Sequence, residues 1–175
     1  MQGQEDISAL VGAYPVCGTC AGQNVLRDAW ANWNPLTRDW ELKTTFEDAW
    51  CVDCEGACSL DWRLDTEFRQ KRIRRLNDQV RQGDLSNATL VVTRGVQAWG
   101  EAFVAAVANA VIAYDRFTED NDPHGEHDFG AFEVAQRQLF WKIDYFDLAL
   151  SAHSPDPANR AVTHRVLTIM LACEY

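Results

Sequence analysis

No stretch of this 175-residue chain is apolar over anything near the ~20 residues that a membrane-spanning helix requires, so no such span is expected. The opening residues, Met1-Gln2-Gly3-Gln4-Glu5-Asp6, lack the basic stretch and apolar run of a secretory signal. The expectation is therefore a cytoplasmic protein whose six cysteines are reduced. Positive charge is scarce as well: 16 Lys and Arg face 26 Asp and Glu, for a net charge of −10. Phosphate neutralisation supplies most of the affinity for DNA, so this deficit argues against sequence-independent nucleic-acid binding. Internal repeats and low-complexity tracts are missing too. What remains is a chain with room for one ordinary core and a small extra module.

Four of the cysteines fall in two knuckles, Cys17-Gly18-Thr19-Cys20 and Cys51-Val52-Asp53-Cys54. The C-x2-C spacing lets two thiolates converge on one ion across a tight turn, and two such pairs complete the all-thiolate shell of structural zinc. One Zn2+ per chain, held by Cys17, Cys20, Cys51 and Cys54, is the expectation. Cys58 follows closely enough to replace Cys54 as the fourth ligand. Between the knuckles, residues 24–33 and 39–50 read as two strands around the turn signal Asn34-Pro35-Leu36-Thr37. That is the layout of a zinc ribbon over residues 1–60. Trp30, Trp33, Trp40, Phe46 and Trp50 are expected to pack within it, because a lone hairpin buries little by itself. Residues 55–68 read as a polar linker.

A second, α+β domain is expected over 66–175, in the order α-β-α-β-β-α. A helix over 66–82 carries Ile73, Leu76 and Val80 on one stripe and stops at Gly83. Residues 88–94 suit a strand. Trp99, Phe103, Val107, Val111 and Tyr114 form a helical stripe within 97–117. Residues 129–134 and 139–146 read as a hairpin with Leu139, Trp141, Ile143 and Tyr145 on one face. Asp156-Pro157 can cap a last helix that buries Val162, Val166, Ile169, Met170 and Cys173. Cys173 is thus read as a core thiol.

The charge is uneven. Residues 63–82 hold seven basic residues against Asp65, Glu67 and Asp78, a local +4 that leaves −14 on the rest. Such a dipolar, acidic protein suits protein partners or self-association. The basic segment itself reads as a solvated helix face.

The second concentration of reactive side chains is Asp120-Asn121-Asp122-Pro123-His124-Gly125-Glu126-His127-Asp128. His124 and His127 with Asp120, Asp122 or Asp128 offer an oxygen–nitrogen metal site of hydrolytic type. Two familiar templates fail. The spacing is H-x-x-H where a zincin needs H-E-x-x-H, and read as a calcium loop its twelfth position is Ala131 where a bidentate glutamate belongs. The competing reading is a turn whose aspartates accept backbone N–H groups.

Three runs carry a family resemblance: Asp115-Arg116-Phe117-Thr118-Glu119-Asp120-Asn121-Asp122-Pro123-His124-Gly125-Glu126-His127-Asp128-Phe129-Gly130, then Phe140-Trp141-Lys142-Ile143-Asp144-Tyr145, then Arg165-Val166-Leu167-Thr168-Ile169-Met170-Leu171-Ala172 with Glu174-Tyr175. From Arg72-Ile73-Arg74-Arg75-Leu76-Asn77 to the end, about 100 of the 175 residues, the chain resembles a bacterial family known as domain of unknown function 3768. Cys173 stands where that pattern has a small residue, and the cysteine knuckles lie outside it. The resemblance implies a cytoplasmic accessory protein of plasmids or phages and no particular activity.

Three functions follow as expectations. The first is a zinc-binding accessory protein that acts by binding a protein of the host or of the mobile element. Counter-defence, by inhibiting a nuclease or CRISPR or restriction machinery, is an example, and self-association is compatible with it. The second is a metal-dependent hydrolase or nuclease using Asp122, His124, His127 and Asp128. The third is a nucleic-acid-binding regulator, which the net charge disfavours. A closed four-cysteine site and an acidic surface favour the first, without catalysis.

Overall fold

The computed structural model describes residues 7–175. The reading of Met1–Asp6 as free of an export signal lies outside the described residues. The chain is a mixed α+β protein that divides into two compact units, the first ending at Asp65 and the second running from Thr66 to Tyr175.

In the first unit, β1 (Ala13–Cys17) pairs antiparallel with β5 (Leu60–Leu64), Cys17 opposite Leu60. A separate sheet has the order β2-β3-β4, with β2 at Val25–Asn34, β3 at Asp39–Cys51 and β4 at Gly56–Cys58. The turn between β2 and β3 is built as its sequence demands: Asn34 Oδ1 accepts the N–H of Leu36, and Arg38 takes a positive φ of 56°. Two expectations fail in this unit. Residues 55–68 are not a polar linker, because β4 adds to β3 and β5 pairs with β1, both satisfying their backbones in sheets. The tryptophans do not form a core either. Trp30, Trp33, Trp40 and Trp50 are exposed, because a two-stranded ribbon has no second layer to bury them. The buried apolar residues here are Val16, Cys17, Ala49 and Cys51.

The second unit opens with α1 (Thr66–Arg81), carrying Glu67 in its first turn and Arg81 in its last, each complementing the helix dipole. It ends where Gly83 adopts φ 104° and donates to the Val80 carbonyl. After β6 (Ala88–Val92) come a single turn, α2 (Arg94–Gln97), and α3 (Glu101–Ile112). Then β7 (Phe129–Val134), β8 (Arg137–Phe146) and β9 (His164–Leu171) complete a sheet of order β6-β9-β8-β7. Only the β6–β9 pair in it is parallel. Leu139, Trp141 and Ile143 project from β8 into a core shared with Leu167, Ile169, Val107 and Val111.

The last helix of the sequence reading is replaced by β9. Val166-Leu167-Thr168-Ile169-Met170-Leu171 is β-branched and nearly uninterrupted in its apolar character, the pattern of a central strand flanked on both sides. Asp156 still bonds the backbone two residues on, at Ala158, but it pairs with Arg69 at 2.9 Å and starts no helix. Cys173 lies exposed in a 3-10 turn, Ala172–Glu174, and is no core thiol. Nor is the basic face of α1 wholly solvated. Arg81 is buried and donates to the carbonyls of Val111 and Ile112 at the end of α3, while Arg72 donates to the Ala158 carbonyl.

Candidate metal centre

Each knuckle begins at the last residue of a strand: β1 delivers Cys17 and β3 delivers Cys51, both buried, while Cys20 and Cys54 follow in exposed turns. The turn after Cys17 is closed by Ala21 N–H donating to the Cys17 carbonyl at 2.8 Å and Cys17 N–H donating to the Gly22 carbonyl at 2.8 Å. A side chain at Gly22 would have to displace the exposed Asp53 carboxylate and crowd the Cys20 sulphur. Its Cβ would stand 2.5 Å from the Asp53 carboxylate and 3.2 Å from the Cys20 sulphur.

The sulphurs of Cys20 and Cys51 are 3.7 Å apart, those of Cys17 and Cys54 4.0 Å, and all four lie within 4.8 Å of one another. A zinc–sulphur bond of about 2.3 Å gives a tetrahedron with edges of about 3.8 Å, whereas a disulfide needs about 2.05 Å. The four cysteines are free thiols close enough to hold a metal ion, and their spacing fits zinc. Cys58, at the end of β4 opposite Ala49, lies outside this group.

Electrostatics point the same way. The backbone N–H groups of Cys20 and Thr19 lower the Cys17 thiol to about 6, the latter donating to Sγ at 3.4 Å. Gly22 N–H donates to the Cys20 sulphur at the same distance. Cys51 is pushed up by burial, and Cys54 is pushed far up, chiefly by the neighbouring thiols of Cys20 and Cys51. Cys51 and Cys54 resist ionisation in this setting, and a divalent cation supplies the countercharge that removes the resistance.

The acidic histidine loop is arranged differently. Asp122 is buried, and its Oδ1 accepts the N–H groups of Glu126 at 2.9 Å and His127 at 3.2 Å. Gly125 and His127 both take positive φ, 61° and 54°, to wrap the backbone around that carboxylate. The His127 ring stacks on Phe117 with centroids 3.6 Å apart, and its Nδ1 lies 2.9 Å from Asp78 Oδ1. Asp78 also pairs with Arg81 at 3.1 Å. His127 Nε2 is 3.8 Å from Asp122 Oδ2, so these two candidates do meet. His124 is exposed, and its carbonyl takes the Gln70 amide. Among the described residues, no three His, Cys, Asp or Glu donors of this loop converge as the four cysteines do.

Behind the loop sits a polar network that sequence reading missed. Asn77, fully buried, donates to the Glu126 carbonyl and to the Tyr145 hydroxyl, and accepts from Arg165 Nε at 2.8 Å. The Tyr145 hydroxyl donates to Glu126 Oε2 at 3.2 Å. Burial pushes the Glu126 and Asp128 carboxyls above the usual range, and Asp122 nearby adds to it. Asp78 and Asn77 lie 49 residues from the loop groups they hold, and nothing local in the sequence marks them.

No curated protein and no solved structure matches this chain. Residues 92–174, from the end of β6 through β9, match the family described as "Protein of unknown function (DUF3768)", a match that begins at Val92 rather than at Arg72 and leaves the cysteine knuckles outside it.

Proposed function

We propose that this is a zinc-binding accessory protein that acts by contact with another protein, its first unit a zinc ribbon held by Cys17, Cys20, Cys51 and Cys54. The observation that carries the reading is the closed set of four sulphurs, spaced 3.7 and 4.0 Å across its two measured edges. A four-thiolate shell leaves zinc no open position for a substrate, so the ion's work is to hold β1 to β3 and to present what they carry. What they carry is the ribbon of β2 and β3 with its exposed aromatic side chains. The net charge of −10 suits a partner with a basic surface, such as the nucleic-acid-binding face of a host nuclease. The family resemblance supports a plasmid or phage setting, with host machinery as the partner.

The loop 120–128 is read as structure. Asp122 accepts backbone N–H groups and His127 Nδ1 faces Asp78, and among the described residues no three donors of this loop converge on one point, which favours the structural reading over the hydrolase one. The deciding experiment combines elemental analysis with affinity capture from a bacterial host. One zinc per chain is expected, together with a captured protein that is lost from the Cys51→Ala variant. Metal-free protein from fresh lysate, or phosphodiester hydrolysis that disappears in His127→Ala while folding is retained, would overturn the reading.

A further inference from the structure

We infer that the partner of this chain inserts an arginine side chain into a cleft of the β2-β3-β4 sheet, over the indole of Trp50 and beside the carboxylates of Asp28 and Asp48. The inference rests on the reading of the first unit as a protein-binding module and names the chemistry that the module recognises. The cleft has a volume of about 340 Å³, within the ~300–1,000 Å³ of ordinary ligand sites. Its floor is one cross-strand row, with Leu26 opposite Trp50 and Trp50 opposite Ala57. Side chains two residues apart on a strand share a face, which brings Asp28 beyond Leu26 and Asp48 beyond Trp50 to the same side, and both line the cleft. The ladder opens beside them. Two steps along β2, from Arg27 to Ala29, are matched by four along β3, from Ala49 to Thr45, an irregularity of the kind that re-aims side chains.

The lining selects a cation with an apolar stem. Trp30 is edge-on to Phe46 and Trp33 to Trp40, whereas among the described residues the Trp50 ring has no aromatic partner, and it is 48% exposed. An open indole face attracts a positive charge through its quadrupole. Among the described residues, neither Asp28 nor Asp48 has an ion-pair or hydrogen-bond partner, so both carboxylates are available to a ligand. A neutral apolar group seated here would desolvate them without a countercharge, and an anion would be repelled.

Arginine fits this combination better than lysine. Its planar guanidinium stacks on a ring while its N–H groups fork to carboxylate oxygens, and its stem lies along apolar surface such as Leu26 and Ala57. Arg27 is the one cation on the lining and leaves the two carboxylates in excess. The wider field acts in the same direction. The first unit, Met1–Asp65, carries four Lys and Arg against eleven Asp and Glu, a net charge of −7, so a basic surface is drawn to it and a second acidic copy is not.

Nuclear magnetic resonance titration of the full, zinc-loaded chain with the capped peptide acetyl-Gly-Arg-Gly-amide tests this. Shifts should concentrate at the Trp50 indole N–H and at the amides of residues 26–28, 48–50 and 57. Asp28→Asn combined with Asp48→Asn should weaken binding at least about tenfold, and Trp50→Leu should do the same, with zinc content and circular dichroism unchanged. Asp39→Asn combined with Glu55→Gln removes the same charge elsewhere in the unit and should change binding less than about twofold. The matching lysine peptide should bind at least about fivefold more weakly. Shifts spread evenly over the acidic surface overturn the inference, as do an Asp28→Asn, Asp48→Asn variant that binds like wild type and a lysine peptide that binds as tightly as the arginine one. A host protein captured equally by wild type and by that variant overturns the cleft and leaves the zinc-ribbon reading intact. A chain that binds the peptide at Trp50 but holds no zinc overturns that reading and leaves the cleft.

Discussion

Replacing Asp122 by alanine separates a structural loop from a catalytic one. The wild-type carboxylate is almost fully buried and accepts two backbone N–H groups through Oδ1, from Glu126 at 2.9 Å and His127 at 3.2 Å, the second shared with Oδ2 at 3.3 Å. Alanine leaves both donors without an acceptor in a region of positive φ. An orphaned buried donor costs about 1–3 kcal/mol, so the loss of two acceptor contacts should be about 2–6 kcal/mol. For a unit of this size each kcal/mol shifts the midpoint by about 4 °C or somewhat more, and a fall of at least ~8 °C is expected. Thermal unfolding followed by near-ultraviolet circular dichroism, which reports on buried Trp141 in the same core, reads it directly. Asp120→Ala is the control: that residue is exposed, and its loss should cost no more than about 0.5 kcal/mol. If Asp122→Ala unfolds like wild type, the carboxylate is not what shapes the loop and the catalytic reading regains its place.

Chelation should release one equivalent of zinc and expose the first unit to protease, because Val16, Ala49 and two thiols are a core too small to persist alone. Residues 66–175 should survive as a fragment. Cys58→Ala should keep the metal and Cys51→Ala should lose it, measured by elemental analysis; the reverse pattern would reassign the ligands. Asn77→Ala should destabilise the second unit by about 3 kcal/mol in chemical denaturation, since it removes the acceptor of the buried Arg165 Nε and the donor to both the Glu126 carbonyl and the Tyr145 hydroxyl. The half-buried Glu126 and Asp128 carboxyls have folded-state pKa values raised above their unfolded ones, so their contribution to stability is present at low pH and is lost as pH rises through the folded values. Above the ordinary carboxylate pKa of about 4, stability should therefore decline with pH less steeply in Glu126→Gln than in wild type. Parallel melting-temperature curves would refute that assignment. Below that range the sign reverses, because hydrogen bonds from Ser86, Ser151 and Thr93 hold Asp84, Asp147 and Glu174 below their usual values, and protonating them costs stability.

What the sequence settled by itself was local. The C-x2-C spacing brings the two sulphurs of each knuckle within reach of one ion, because the turn between them leaves little freedom, while the choice of Cys54 over Cys58 came from the fold. The alternation in 129–134 and 139–146 likewise places Leu139, Trp141 and Ile143 on one face, and the observed strand starts two residues earlier, at Arg137. The tertiary structure decided everything that depends on neighbours distant in the chain. His164–Leu171 is a strand and not a helix because β6 and β8 flank it on both sides, and an apolar run has no period to announce that. The tryptophans between the knuckles stay exposed because hydrophobicity cannot say whether a second layer exists to cover it. His127 is held by Asp78, 49 residues earlier and on another element, so the loop's character was set by a contact with no local sequence signature.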